Sequence, residues 1–167
     1  MEANDIRSLE PKALWSYFYS LTQVPRPSGK IEPVGSFIAD FGKSCEFETW
    51  RDASCNVLIR KQATPGMENR KSVVLQAHMD MVPQKNSHIN HNFETDPIQA
   101  YIDGEWVPAR DTTLGADNGI GIAAAMAVMA SKDIAHPALE MFITVDEETG
   151  MHGAFGLQPG FLKGDIL

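Results

Sequence analysis

With 167 residues, 43% of them apolar, the chain is long enough for one domain with a real core, and its net charge of −8, from 22 acidic against 14 basic residues, comes with no basic, aromatic-interleaved stripe of the kind nucleic acid needs. Cys45 and Cys55 are too few for a disulfide framework and point to reduced thiols in a cytoplasmic setting. Residues 1–14 hold no apolar core of the signal-peptide kind and the run 119–130 is too short to cross a bilayer, so no membrane partner is expected.

In chain order, residues 11–21 read as a helix, with Pro11 tolerated in its first turn and Leu14, Trp15, Phe18 and Leu21 on one face. The segment Pro25-Arg26-Pro27-Ser28-Gly29 breaks it. A second helix is predicted over 30–41, with Gly42 as its stop. Residues 45–50 and 56–60 read as strands joined by a turn. The β-branched run 72–79 reads as a buried strand. Residues 83–97 form a polar surface loop, and Asp103-Gly104 marks a hairpin between 98–102 and Trp106-Val107. A glycine-rich loop, 111–121, opens a helix over 122–131. Residues 139–145 are a second buried strand, 155–160 a turn, and 163–167 the beginning of another strand.

Three places along this string carry chemistry. At the end of the 72–79 strand, His78 and Asp80 lie two positions apart and point the same way, while Met79 and Met81 point into packing. An imidazole can bind a metal through one nitrogen while a carboxylate fixes the other, but a polar strand end meeting a loop explains the pair equally well. Asp117 lies in the glycine-rich loop. A phosphate site would want a lysine there; Asp111 and Asp117 argue for a cation instead, with a helix N-cap as the plain alternative for Asp117. After the 139–145 strand come Asp146, Glu147 and Glu148, which are either a solvated charge run or a group gathered by a divalent cation. His88 and His91 could bind metal, but they stand in a loop without matching cysteines, and this reading is the weaker one.

All three places fall where sites form in open α/β sheets, outside the carboxyl ends of strands. One histidine and two carboxylates suit zinc, with manganese or cobalt as alternatives, and a shared carboxylate can bridge two ions about 3.5–4 Å apart. Of adjacent glutamates, one can ligate while the other takes a proton from water.

His78-x-Asp80, the loop Gly115-Ala116-Asp117-Asn118-Gly119-Ile120-Gly121 and Asp146-Glu147-Glu148-Thr149-Gly150 resemble the N-terminal signatures of the M20 zinc peptidase family. The segment Pro25 to Gly29 and Asn118 resemble its cytosolic branch that cleaves Xaa-His, carnosine-like dipeptides. The resemblance implies an α/β catalytic domain of the zinc-peptidase (phosphorylase/hydrolase-like) kind, with a mixed, mostly parallel sheet flanked by helices. It implies two zinc ions, held by His78 on one, Glu148 on the other and Asp117 on both, with the Asp117-Asn118 peptide cis. Asp80 would steady the His78 ring, and Glu147 would be the general base.

The family's chains are much longer. They add an aspartate ligand on the next strand, a histidine ligand far downstream, and a lid domain that dimerises and helps bind substrate. The expectation is therefore the N-terminal part, residues 1–167, of such a domain, incomplete at its C-terminus and without the lid, with weak or no turnover of its own. Asp165 precedes the expected next ligand and is given no role. The expected partner is a small peptide, with a homodimer for the longer protein. Other M20 activities (di- and tripeptidases, N-acyl amino acid deacylases) and a non-catalytic product stay open.

Overall fold

Alternation along the strands decides how this chain folds. In the computed structural model, which describes residues 4–167, Leu139, Met141 and Ile143 turn to one face of their strand and Glu140 and Phe142 to the other, and all are buried. The first set joins Val57, Ile59 and Ala77 in a core closed by helical residues such as Phe18, Ile38, Ile122 and Met126. Of the second set, Phe142 meets Leu58 and Val74 in a smaller cluster under Leu157, Phe161 and Leu162.

The elements run in order as a short 3₁₀ turn (Ile6–Ser8), helix α1 (Lys12–Thr22), helix α2 (Glu32–Ser44), strands β1 (Glu48–Arg51), β2 (Val57–Lys61) and β3 (Val73–His78), helix α3 (Ala116–Ala130), strand β4 (Leu139–Thr144) and helix α4 (His152–Phe155). The sheet order is β1-β2-β4-β3. The expected mixed sheet with packed helices is present, but its parallel share is smaller than expected. β1 pairs with β2 and β2 with β4 antiparallel, and only β3 and β4 are parallel. The reason is connectivity: parallel neighbours need a crossover, here through α3, whereas β1 and β2 are joined by a tight turn.

Four local expectations shift. Helix α2 runs through Gly42 rather than stopping there. That glycine is a point of close approach to the sheet, where a Cβ would meet Ile59 Cδ1 at 2.9 Å. The hairpin at Asp103-Gly104 closes through two Asp103–Trp106 backbone hydrogen bonds of 2.9 and 3.0 Å, but its arms form only isolated bridges. Pro97 and Pro108 flank it and lack the N–H a ladder requires. The helix after the glycine-rich loop starts earlier, at Ala116, with non-helical backbone at Asp117 and Asn118. A short helix, α4, precedes the turn expected at 155–160.

The last residues do begin a strand. Ile166 bridges Val73 in parallel, and Val74 N donates to Ile166 O at 2.7 Å. Buried Glu140 secures the approach to it: one carboxylate oxygen accepts from Arg60 Nε at 2.5 Å, and the other from the amides of Lys163 (2.8 Å) and Gly164 (3.0 Å). Cys45 and Cys55 are free thiols. No helix among the described residues is long and apolar enough to cross a membrane.

Candidate metal centre

Because β3 and β4 are parallel, with His78 opposite Thr144, their carboxyl ends lie side by side and the segments that follow them meet. Helix α3 packs against β3 and brings Asp117, at its first turn, to the same end. His78, Asp117 and Glu148 each offer a ligand atom, and those atoms lie within 4.8 Å of one another. The peptide between Asp117 and Asn118 is cis, as the family resemblance implied.

Asp80 is the hub that assembles the group. It is fully buried. Its carboxylate accepts from Ser28 Oγ at 2.7 Å, Glu147 N at 3.0 Å and Glu148 N at 3.3 Å, and lies 3.3 Å from His78 Nδ1. One side chain thus holds the histidine ring and the backbone of both glutamates. Burial alone would raise the Asp80 carboxyl, but the donors from His78, Ser28 and the two amides outweigh it and hold its pKa at about 2. His78 Nδ1 is also 3.1 Å from the Asp80 carbonyl oxygen, so Nε2 is the nitrogen directed at the opening, 3.0 Å from Asp117 Oδ1 and 3.9 Å from Glu147 Oε2. Burial pulls the imidazole down, yet the Asp80 and Asp117 carboxylates push it up to about 9. Burial and the neighbouring carboxylates of Glu147, Asp117 and Asp80 likewise raise Glu148, against His78. A group of acids held this close, with one imidazole facing them, gains from a bound cation.

The donor types fit such an ion. Imidazole nitrogen with carboxylate oxygens is a zinc, manganese or cobalt set, and Asp117 and Glu148 are solvent-exposed, so an ion and a substrate can reach them. The structure separates the three consecutive acids. Asp146, in a left-handed turn (φ 50°), leaves the group and accepts from Gly29 N at 2.7 Å. Asp111 sits elsewhere, bonded to Asn86 and 4.0 Å from His88 Nε2. His91 packs edge-on to Phe93 with ring centroids 4.5 Å apart; neither His88 nor His91 joins the ligand group.

Sequence reasoning left three supporting residues without a role. Ser28 and Arg26 lie in the Pro25 to Gly29 segment, a recognised motif whose contacts only folding reveals. Asn56 had no local signal at all. Fully buried, it accepts from Val145 N at 3.0 Å and donates to Asp52 Oδ2 at 2.7 Å and Gly153 O at 2.9 Å. Since Gly153 N also bonds Val145 O at 3.1 Å, Asn56 closes the base of the loop that presents Glu147 and Glu148. Replacing Asn56 by Ala removes all three bonds and leaves buried groups unpaired, an expected loss of about 3 kcal/mol in urea unfolding. A loss below about 1 kcal/mol would show that the loop base holds without it.

No family model matches the chain. It is 54% identical over 164 residues to the cytosol non-specific dipeptidase of Escherichia coli, a match that covers 98% of this chain and 34% of that protein. Aminoacylhistidine dipeptidase from Vibrio alginolyticus superposes with a TM-score of 0.97 at 55% identity, over 99% of this chain and 34% of the other. A tripeptidase from Staphylococcus aureus shares the fold at a TM-score of 0.76 and 21% identity, over 92% of this chain and 41% of its own. The chain therefore spans about a third of the length of the dipeptidases it matches.

Proposed function

We infer that this chain, related along nearly all its length to dipeptidases of the M20 family, builds the metal-binding end of a peptidase site, and that the longer protein of that kind hydrolyses dipeptides. The observation that carries this reading is the convergence of His78, Asp117 and Glu148 around the buried Asp80 hub. The donor set would suit a pair of ions, with His78 and Glu148 each holding one and Asp117 serving both. A divalent cation held there supplies positive charge that acidifies water and polarises a scissile carbonyl.

The chain's own residues do the rest. Asp80 fixes the tautomer and angle of the His78 ring and ties the glutamate backbone to it. Glu147, 3.9 Å from His78 Nε2, is the base: its carboxylate takes a proton from the attacking water and delivers it to the leaving amine. The remaining coordination positions are left to water, substrate and groups from the other two thirds of the length that the relatives have. The same part of the protein would carry a lid and a homodimer contact, and a cytosolic location suits the free thiols.

The substrate class proposed is the small dipeptide, with Xaa-His peptides as the finer preference. The two relatives bear names of different breadth, one non-specific and one aminoacyl-histidine, so the deciding experiment compares substrates. A protein carrying this chain with the remaining two thirds should cleave Ala-His and β-Ala-His in a zinc-, cobalt- or manganese-dependent way, faster than N-acetyl amino acids. The 167-residue chain alone should bind the metal and turn over dipeptides weakly or not at all. Deacylation that exceeds dipeptide cleavage, or cleavage that survives complete metal removal, would overturn the proposal.

A further inference from the structure

Arg26 is 2% exposed and makes no ion pair among the described residues. Its guanidinium is held by carbonyls instead: Nη1 donates to Met79 O at 3.2 Å and Asp80 O at 3.5 Å, and Nη2 to Gly115 O at 2.5 Å. A buried cation is costly unless hydrogen bonds replace its hydration, so this placement needs a reason. Burial lowers its pKa to about 10, with Asp80 opposing, and the group stays cationic at neutral pH.

The reason lies in which carbonyls it joins. Met79 and Asp80 directly follow His78 as the chain leaves β3. Gly115 is the residue before α3, two positions from Asp117. One planar side chain therefore spans the two segments that carry the paired donors His78 and Asp117. The main chain of Arg26 adds a third tie, accepting from Met81 N at 3.1 Å.

The glycine-rich loop is shaped around this guanidinium. A Cβ at Gly115 or at Gly119 would come within 2.6 Å of Arg26 Nη2. Gly115 also needs glycine for its left-handed backbone (φ 69°), but Gly119 has no such need. At Gly119 the requirement is space, for Arg26 and for the Phe18 ring at 3.0 Å. Two of the motif's glycines thus record the position of an arginine about ninety residues earlier in the chain.

We propose that Arg26 is a positioning residue that sets the separation of His78 and Asp117, and thereby the affinity and coordination geometry of the cation they share. This rests on the metal-site reading above. Arginine suits the task because its rigid fork can donate to two segments at once, whereas lysine offers one compact charge on a flexible stem.

The test uses Co2+ as the probe, with Arg26→Gln and Arg26→Lys. Co2+ titration reads affinity, and its visible absorption reads coordination geometry. Amide hydrogen exchange on the metal-free chain reads the link itself at Gly119 N, which bonds Gly115 O at 3.1 Å, against amides of β4 as internal reference. Arg26→Gln is expected to weaken Co2+ binding by roughly 10–100-fold, the range found when groups that orient metal ligands are lost, and to alter the spectrum. It should also speed Gly119 exchange by about tenfold relative to β4, a local opening rather than a global one. Arg26→Lys should lie between the two in every readout. Wild-type affinity and protection in a folded Arg26→Gln would overturn the proposal, as would acceleration shared equally by β4. If Arg26→Gln does not fold, Arg26→Lys decides: an intermediate value supports the proposal and identity with wild type overturns it. A wild-type chain that binds no Co2+ would count against the metal-site reading, while the exchange at Gly119 would still judge the arginine link.

Discussion

Glu147→Gln is expected to lower kcat for dipeptide hydrolysis by about 10²–10⁴-fold, the usual contribution of a positioned acid–base group, with little change in KM. The substitution keeps the shape of the side chain and, above all, the backbone N–H that donates to Asp80 Oδ1 at 3.0 Å. What it removes is the ability to take a proton. The loop and the ligand set should therefore survive, and zinc affinity should stay within about threefold of the parent, since no donor to the ion has been lost. The measurement is steady-state kinetics beside a zinc titration, on a protein that carries this chain with the rest of the length its relatives have. A variant that retains a tenth or more of the parent kcat would remove Glu147 from the base role. A variant that loses zinc as well as turnover would mean that the two adjacent glutamates have exchanged parts.

Asp117→Ala and Glu148→Ala should differ in stoichiometry. If Asp117 bridges two ions and Glu148 holds one, the first change removes both ions and the second leaves the ion on the His78 side. Loss of a direct ligand should exceed the 10–100-fold typical of lost orienting groups, so affinity at the affected site is expected to fall by more than about 100-fold. Folding and binding are separable here because the Asp117 side chain is 83% exposed. Its removal costs the fold the small benefit of an acid at a helix start, about 0.3–1 kcal/mol, together with its 3.0 Å contact to His78 Nε2. Counting bound zinc per chain for each variant, with thermal unfolding alongside, makes the comparison. Equal stoichiometry in the two variants would reject the bridging role.

Much of this arrangement was readable before folding. Apolar, β-rich runs placed β2, β3 and β4 nearly to the residue, because composition is local, and along a strand side chains alternate between its faces. The same alternation put His78 and Asp80 on a common course, and Met79 and Met81 into the core, where both are buried. What failed locally failed for tertiary reasons. Gly42 reads as a helix stop, but its lack of a side chain serves contact with Ile59. The three acids after β4 look alike in sequence, yet a left-handed residue at Asp146 sends it to Gly29 and leaves Glu147 and Glu148 over Asp80.

The sequence by itself determined which side chains could meet a cation. Residue type and spacing are local, and an imidazole, a loop aspartate and paired glutamates at strand or helix ends already make a divalent cation and proton transfer chemically available there. Only the tertiary structure decided what holds them there: Ser28 and the amides of Glu147 and Glu148 on Asp80, Asn56 under the glutamate loop, Arg26 between Asp80 and Gly115. Those bonds join residues 52 to 89 positions apart. A hydrogen bond's partner at that distance is chosen by how strands and helices pack, and no stretch of chain short enough to show a pattern contains both ends of it.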